Sequence, residues 1–357
     1  MATHSARLHL PFERLVTALR PVAEALALPV EQAAGGTATV RLPGGALTVA
    51  AREAGCRLVL EAADEGRLAQ LRERVTQFLS EQGLGDSLEW RADRRRARPG
   101  NLTLARIDSS IRLSPSFQRL RLSGDFARFR DGGLHFRLIF GPEGADWPMG
   151  DETGATVWPG GIDAWHRPPY TIRAMDPDCR WIDVDVVLHA GGRVTDWVAL
   201  CRPGDRVALT GPGGKAPQIA GWIGYVGDET ALPVIARMLE ILPPDTRGAA
   251  RIFVPDPRDA QPLRHPAGVD LRWLVRGRDG TPLEALTALS PPAADRFVFF
   301  AAERREAEAA RAHLARLGLG RGEFHGAAYW TEGWIPPDYQ VARLARRTAA
   351  PGLIERA

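Results

Sequence analysis

Lysine is almost missing from this chain: apart from the histidines, every basic side chain except Lys215 is arginine. A coding bias with one chance lysine and a cation held beside a ligand phosphate or an anionic chelate both remain open readings of it. Cysteine is scarce too, and Cys56, Cys179 and Cys201 stand far apart. That spacing argues against a disulfide scaffold and a thiolate metal site, and reads as reduced, structural thiols of a cytoplasmic protein. The eight histidines form no H-x-x-x-H or H-E-x-x-H pattern, so no protein-held metal is expected. No apolar run approaches the roughly 20 residues that cross a bilayer, and the first residues, MATHSARLHLPFERL, lack the apolar core of a secretion signal. A net charge of +3 over 357 residues gives no bulk attraction to nucleic acid. No nucleophile–base pair points to hydrolysis.

What is present is a soluble globular composition, 45% hydrophobic and 25% charged, and a length that suggests two or three domains. Residues 1–92 read as a small α+β domain. A strand over Ala6–Leu10 precedes a helix over Phe12–Leu28, with Leu15, Leu19, Val22, Ala23 and Leu26 on its buried stripe and Pro21 kinking or dividing it. Strands near Ala38–Leu42, Ala46–Ala51 and Arg57–Glu61 follow, and Asp64 caps a helix with Leu68, Leu71, Val75, Phe78 and Leu79 on its stripe. Residues 93–101 lie in a basic segment ending in Pro-Gly, and read as a linker.

From 102 to 217 the pattern is one of short strands: Leu102–Ile107, Phe117–Leu122, Leu134–Phe140, Tyr170–Ala174, Trp181–His189 and Arg206–Thr210. They fit a small antiparallel barrel. Residues 141–165, with Trp147, Trp158 and Trp165, read as a long irregular loop near a site. Between 218 and 335 strands alternate with helices, the pattern of a parallel sheet with ligands at the strands' carboxyl ends. No G-x-G-x-x-G follows the first of these strands, so the usual dinucleotide fingerprint is absent. Residues 336–357 form an Arg-rich tail.

The stretch 167–214 carries most of the information. Ile182, Val184, Val186 and Leu188 alternate with Asp183, Asp185 and Val187, as in a strand with one buried face. Gly191 and Gly192 break it, and a short helix follows with Trp197 and Leu200 on one face. Arg202-Pro203-Gly204-Asp205 is a turn, and Gly211–Gly214 closes the unit. A glycine loop that leads into a helix offers free N–H groups and a positive dipole end to an anion.

This stretch resembles the siderophore-interacting protein family of FAD-dependent ferric-siderophore reductases. The shared features are Tyr170-Thr171-Ile172-Arg173, Asp185 through Leu188-His189, Gly191-Gly192, Trp197 and Pro203-Gly204-Asp205. Further on, Gly227–Pro233, Ala302-Glu303 and Tyr329-Trp330 match in the family's order, so the likeness covers about 103–335. Residues 1–92 resemble a small domain of unknown function sometimes fused ahead of such proteins.

The resemblance implies a ferredoxin-reductase-like architecture, with a flavin-binding barrel followed by an α/β nicotinamide-binding domain. It also implies FAD as cofactor, NADPH or NADH as donor, and an anionic ferric siderophore as substrate. A ferredoxin stays open as an alternative partner, and so does a non-catalytic siderophore-binding adaptor that has lost its flavin. The flavin contacts it implies are Arg167, Tyr170, Thr171, Ile172, Arg173, Leu188, His189, Gly191, Gly192, Thr195 and Trp197. Tyr170 would pack on the ring system, Thr171 would reach its reactive nitrogen, and Arg173 would neutralise phosphate or stay on the barrel surface. Asp228, Glu229, Thr230 and Glu303 are implied on the nicotinamide side, where helix-start positions explain the acidic ones equally well. Lys215, Arg304 and Arg305 are the candidates for the chelate. Two departures stand out: Pro168 occupies the place of a family arginine, and Gly192-Arg193-Val194 replaces Gly-Pro-Ala in the phosphate loop.

Overall fold

The computed structural model describes residues 1–25, 28–33, 35–42, 44–91, 98–130, 133–151, 155–214, 218–320 and 322–333. Leu26, Lys215, most of the basic linker and the tail 336–357 lie outside these residues. The chain divides into two units. One comprises Met1–Leu104, Arg137–Pro168 and Ala208–Lys215; the other comprises Ala105–Phe136, Pro169–Val207 and Ala216–Ala357.

In the first unit, β1 (Ala2–Leu8) leads to α1 (Phe12–Ala25), then β2 (Val30–Ala33), β3 (Thr37–Leu42), β4 (Gly45–Arg52), β5 (Gly55–Ala62), α2 (Glu65–Glu81) and β6 (Leu88–Trp90). The strands form a six-stranded antiparallel sheet in the order β2-β3-β4-β5-β1-β6. Along β5 the alternation is strict: Cys56, Leu58, Leu60 and Ala62 are buried, while Arg57 and Glu61 are exposed. The buried face packs with Leu15 and Val16 of α1 and with Leu68, Leu71, Val75 and Leu79 of α2. The Asp64 carboxylate accepts from Arg67 N at 2.8 Å and so caps α2 as its sequence position requires.

The helix α1 is continuous through Pro21, so it is not divided there. Its expected stripe needs correction: Phe12, Leu15, Val16 and Ala23 are buried, whereas Val22 is 36% exposed. One missing N–H is tolerated here because tertiary packing outweighs local propensity.

The segment 137–168 is more ordered than a long irregular loop. It contains the short pair β10 (Met149–Gly150) and β11 (Thr156–Val157), and Trp165 is buried beside Trp158 and Trp147. The Trp165 indole N–H donates to Pro159 O at 2.8 Å. A side chain on Gly141 would meet the Trp165 ring at 2.5 Å, so the close approach needs glycine there.

The barrel strands are β7 (Leu102–Ser114), β8 (Phe117–Ser123), β9 (His135–Ile139), β12 (Pro169–Thr171), β13 (Ala174–Met175), β14 (Trp181–Val187) and β15 (Arg206–Gly213). They form one seven-stranded sheet in the order β12-β9-β15-β7-β8-β14-β13. Its two edge strands, β12 and β13, are separated by only Ile172 and Arg173. Ile172 N donates to Leu134 O at 2.8 Å, and Arg173 N donates to Asp183 O at 2.9 Å. The sheet therefore closes on itself at this dipeptide. A single strand over Tyr170–Ala174 was expected; the chain instead splits in two because the backbone changes partners there. Gly211–Gly213, expected as a turn, continues β15.

The α/β part runs β16 (Trp222–Gly227), α4 (Leu232–Glu240), β17 (Arg247–Val254), β18 (Gly268–Val275), α5 (Pro282–Thr287), β19 (Arg296–Glu303), α6 (Arg304–Arg316) and β20 (Phe324–Trp330). Its five strands are all parallel, in the order β18-β17-β16-β19-β20. Strands with buried runs on both faces, such as Ile223–Gly227 and Phe297–Glu303, are the expected composition of such a sheet. Among the described residues no helix is long and apolar enough to cross a membrane.

Two paired surface carboxylates make the fold sensitive to acid. Hydrogen bonds from Arg258 hold the Asp256 carboxyl down at about 2, and Arg278 with the Val275 N–H does the same for Asp279, also about 2. A pKa depressed in the folded state stabilises above the unfolded value and loses that contribution as pH falls through the folded one. Stability is therefore expected to be flat near neutrality and to drop between about pH 4 and about pH 2, which thermal melts across that range would check.

Candidate functional site

In the second unit the barrel closure brings the aromatic and hydroxyl residues of the central motif onto a rigid strand. Thr171 and Ile172 are buried, and Tyr170 is half-buried with its phenol pKa pushed up by burial. The next residue, Arg173, has a largely buried guanidinium. It pairs with Glu240 of α4 at 2.8 Å and approaches Asp185 at 4.0 Å. These ion pairs give Arg173 a role inside the protein.

Asp183 and Asp185 lie in register with Arg121 and Arg119 across the β14–β8 ladder. Each pair is bidentate: Arg119 meets Asp185 at 2.7 and 2.8 Å, and Arg121 meets Asp183 at 2.8 and 2.9 Å. The hydrogen bonds to the carboxylates push both guanidinium pKa values up. The Arg121 guanidinium also lies 3.8 Å from the centre of the Trp181 ring. The expectation of one buried face on this strand is thus corrected. Both aspartates are buried, because the arginines of the neighbouring strand cover them.

After β14 the chain turns at Gly191, whose φ of +76° favours glycine. Gly192 is buried and serves as the N-cap of α3 (Arg193–Leu200) without a side-chain capping bond. A Cβ there would lie 2.6 Å from the His189 ring and 3.0 Å from the Thr195 hydroxyl. That hydroxyl accepts from His189 N at 3.2 Å, tying the loop to the first turn of the helix. The result is a tight glycine loop feeding a helix start whose N-cap residue carries no side chain, the geometry suited to a phosphate. The helix buries Val194 and Val198. Trp197 is half-buried and Leu200 is 60% exposed, which corrects the expected Trp197–Leu200 face. The Arg202–Asp205 turn forms as read, with Gly204 at φ +95° and Arg202 N donating to the Asp205 carboxylate at 2.7 Å.

At the carboxyl ends of the parallel strands a second cluster assembles. The Asp228 carboxylate accepts from Thr230 N at 2.9 Å, from the Thr230 hydroxyl at 2.5 Å and from the Trp330 indole N–H at 2.6 Å. Glu229 pairs with Arg276, whose guanidinium lies 5.5 Å from the Trp330 ring centre. Burial alone would raise the Glu303 carboxyl, but N–H donors from Arg305, Glu332, Glu306 and Arg304 outweigh it and hold its pKa down. Glu303 is the N-cap of α6. Arg304 and Arg305 are exposed, and the Arg304 side chain donates to the Thr331 hydroxyl at 3.0 Å. Arg276 and the strand that carries Trp330 were missed in the sequence. The only available signal was the Tyr329-Trp330 pair.

Arg167 belongs to the first unit. Its guanidinium lies 5.0 Å from the Trp158 ring centre, and its carbonyl accepts from Arg137 at 2.7 Å. Burial lowers its pKa, opposed by the Glu73 carboxylate.

A closed antiparallel barrel with a glycine loop at a helix start, followed by a parallel α/β domain with a polar cluster at its strand ends, defines a ferredoxin-reductase-like fold. Two family models match: the siderophore-interacting FAD-binding domain over residues 106–216 and the siderophore-interacting protein model over 220–333. The chain belongs to the siderophore-interacting protein family.

It is 30% identical to a siderophore utilization protein from T. fusca of known structure, with a TM-score of 0.58, covering 67% of this chain and 96% of that one. It is 27% identical over 251 residues to the ferric vibriobactin reductase ViuB of Vibrio cholerae, covering 65% of this chain and 90% of the relative. With the NADPH-dependent ferric-chelate reductase of Escherichia coli it shares 28% over 242 residues, 64% of this chain and 91% of the relative. Over 117 residues it is 44% identical to an uncharacterized Mycobacterium tuberculosis protein, a match covering 31% of this chain and 41% of that relative's length.

Proposed function

We propose that this protein is a cytoplasmic ferric-siderophore reductase that uses FAD and NAD(P)H. The observation that carries the reading is the pairing of Tyr170-Thr171, fixed where the barrel closes, with the Gly191–Gly192 loop at the start of α3. The loop fits a dinucleotide phosphate, because glycine leaves its backbone open and the N–H groups of a helix's first turn point toward an anion placed there. Tyr170, Thr171, Ile172, Leu188, His189, Gly191, Gly192, Thr195 and Trp197 would hold the flavin, while Asp228, Glu229, Thr230 and Glu303 would shape the nicotinamide side. FAD, when bound, supplies the conversion from two-electron donor to one-electron acceptor.

The protein's own part is placement and electrostatics. The buried Thr171 holds its hydroxyl on a closed strand, and the half-buried Tyr170 offers an aromatic wall. The Asp228–Thr230–Trp330 cluster fixes the turn at the carboxyl end of β16, where ligands bind in open α/β sheets. Overall, one NAD(P)H provides two electrons, which reduce two ferric ions to ferrous ions with release of one proton. Hard oxygen donors then bind the less charged metal more weakly, so iron leaves without cleavage of the chelator. Arg304, Arg305 and Lys215 remain the candidates to attract the anionic chelate.

Steady-state turnover with ferric siderophores, free flavin and a ferredoxin as acceptors tests the substrate class. Turnover highest with ferric siderophores is expected; preference for a ferredoxin would move the assignment to a linked reductase.

A further inference from the structure

The N-terminal domain carries a pocket of about 860 Å³, lined by the ends of β1, β5 and β6 and by the β4–β5 turn. This volume lies within the range of small-ligand sites, about 300–1,000 Å³. Four arginines, Arg7, Arg52, Arg57 and Arg91, face two carboxylates, Glu53 and Glu89. Glu89 also stands 3.6 Å from the His9 ring nitrogen, an ion pair only when that histidine is protonated.

Arg7 and Arg57 stand directly opposite one another in the β1–β5 register, on the sheet face away from the helices. Like charges in that position repel and destabilise a sheet. Neither arginine has a carboxylate within ion-pairing distance among the described residues, nor does Arg91. Arg7 thus has Arg57 on one side and Glu89 on the other, and the four arginines of the lining still outnumber its two carboxylates, which suits an anion that bridges the Arg7 and Arg57 guanidinium groups.

We propose that this pocket is a binding site for a multiply charged anionic metal chelate, a second position for the substrate class assigned above. The site would raise the local concentration of chelate on the protein without taking part in electron transfer. The charge of the lining decides the class: arginine forks match the paired oxygens of catecholate or carboxylate donors. The assignment of the ligand rests on the reductase reading; the excess of positive charge does not.

The test is calorimetric titration of the full-length chain with a redox-silent trianion, gallium(III) tris-catecholate, with no nicotinamide present. The wild type is expected to bind it, and Arg7→Gln/Arg57→Gln is expected to weaken that binding at least about tenfold, with the wild-type affinity falling as salt rises. The substituted arginines are exposed and mutually repulsive, so the variant should fold; circular dichroism checks this. Arg7→Lys/Arg57→Lys keeps the charge but loses the fork, and is expected to bind more weakly than the wild type and more tightly than the Gln variant. No binding by the wild type, or identical isotherms for the wild type and the Gln variant, would overturn the proposal. The titration requires no electron transfer, so its failure leaves the reductase reading intact, and absence of reductase activity leaves the titration result standing.

Discussion

Asp185→Ala should destabilise the barrel by about 3–5 kcal/mol, the cost of removing one partner from a buried ion pair. The carboxylate is buried, holds Arg119 through two bonds of 2.7 and 2.8 Å, and has Arg173 at 4.0 Å. Its removal leaves the largely buried Arg173 with Glu240 as its one acidic partner among the described residues. Arg173 adjoins the point where the sheet closes, so the loss acts on Tyr170 and Thr171 as well. A melting midpoint lower by roughly 10 °C is expected, together with weaker FAD retention. Asp185→Asn keeps the shape and should fall between the variant and the wild type. An unchanged midpoint in the alanine variant would show that the pair contributes nothing net.

Asp228→Ala should separate the two halves of the reaction. Its carboxylate accepts three hydrogen bonds, two from Thr230 and one from Trp330. Without it the indole N–H and the Thr230 N–H lose their acceptor, at about 1–3 kcal/mol for each group left buried and unpaired. The turn that follows β16 then loosens. A roughly tenfold slower reduction by NAD(P)H is expected, since about 1.4 kcal/mol is a factor of ten. Reoxidation of chemically reduced protein by a ferric chelate should stay within about twofold, a factor worth well under 1 kcal/mol. Rapid-mixing absorbance measures both steps. Equal slowing of the two would mean that Asp228 acts through general stability.

These two aspartates also show how far the sequence could be read. The strand carrying Asp183 and Asp185 was evident from its alternation, but its acidic face looked solvated. Arg119 and Arg121 lie more than sixty residues earlier, and only the β14–β8 register reveals that they cover it. Asp228 drew attention through its motif, yet its main partner, Trp330, follows 102 residues later on β20. That strand has a mixed, half-exposed pattern with no apolar periodicity, so nothing local announced it.

Arg276 was hidden for a different reason. In a chain that uses arginine almost throughout, one more arginine after a strand carries no signal. By contrast, α2 and α4 were legible because a cap or a continuous apolar stripe is local information. The Gly191–Gly192 loop was legible as a motif. Its physical basis, the close approach of His189 and Thr195 to Gly192, appears only in three dimensions.

The most direct test of the central claim is the visible absorption spectrum of the purified protein before and after incubation with FAD. A flavin spectrum that NAD(P)H bleaches and a ferric siderophore restores is the expected result. A colourless protein that takes up no FAD would contradict the reductase assignment: Pro168 and Arg193 would then mark a lost site, and a siderophore-binding adaptor would be the remaining reading.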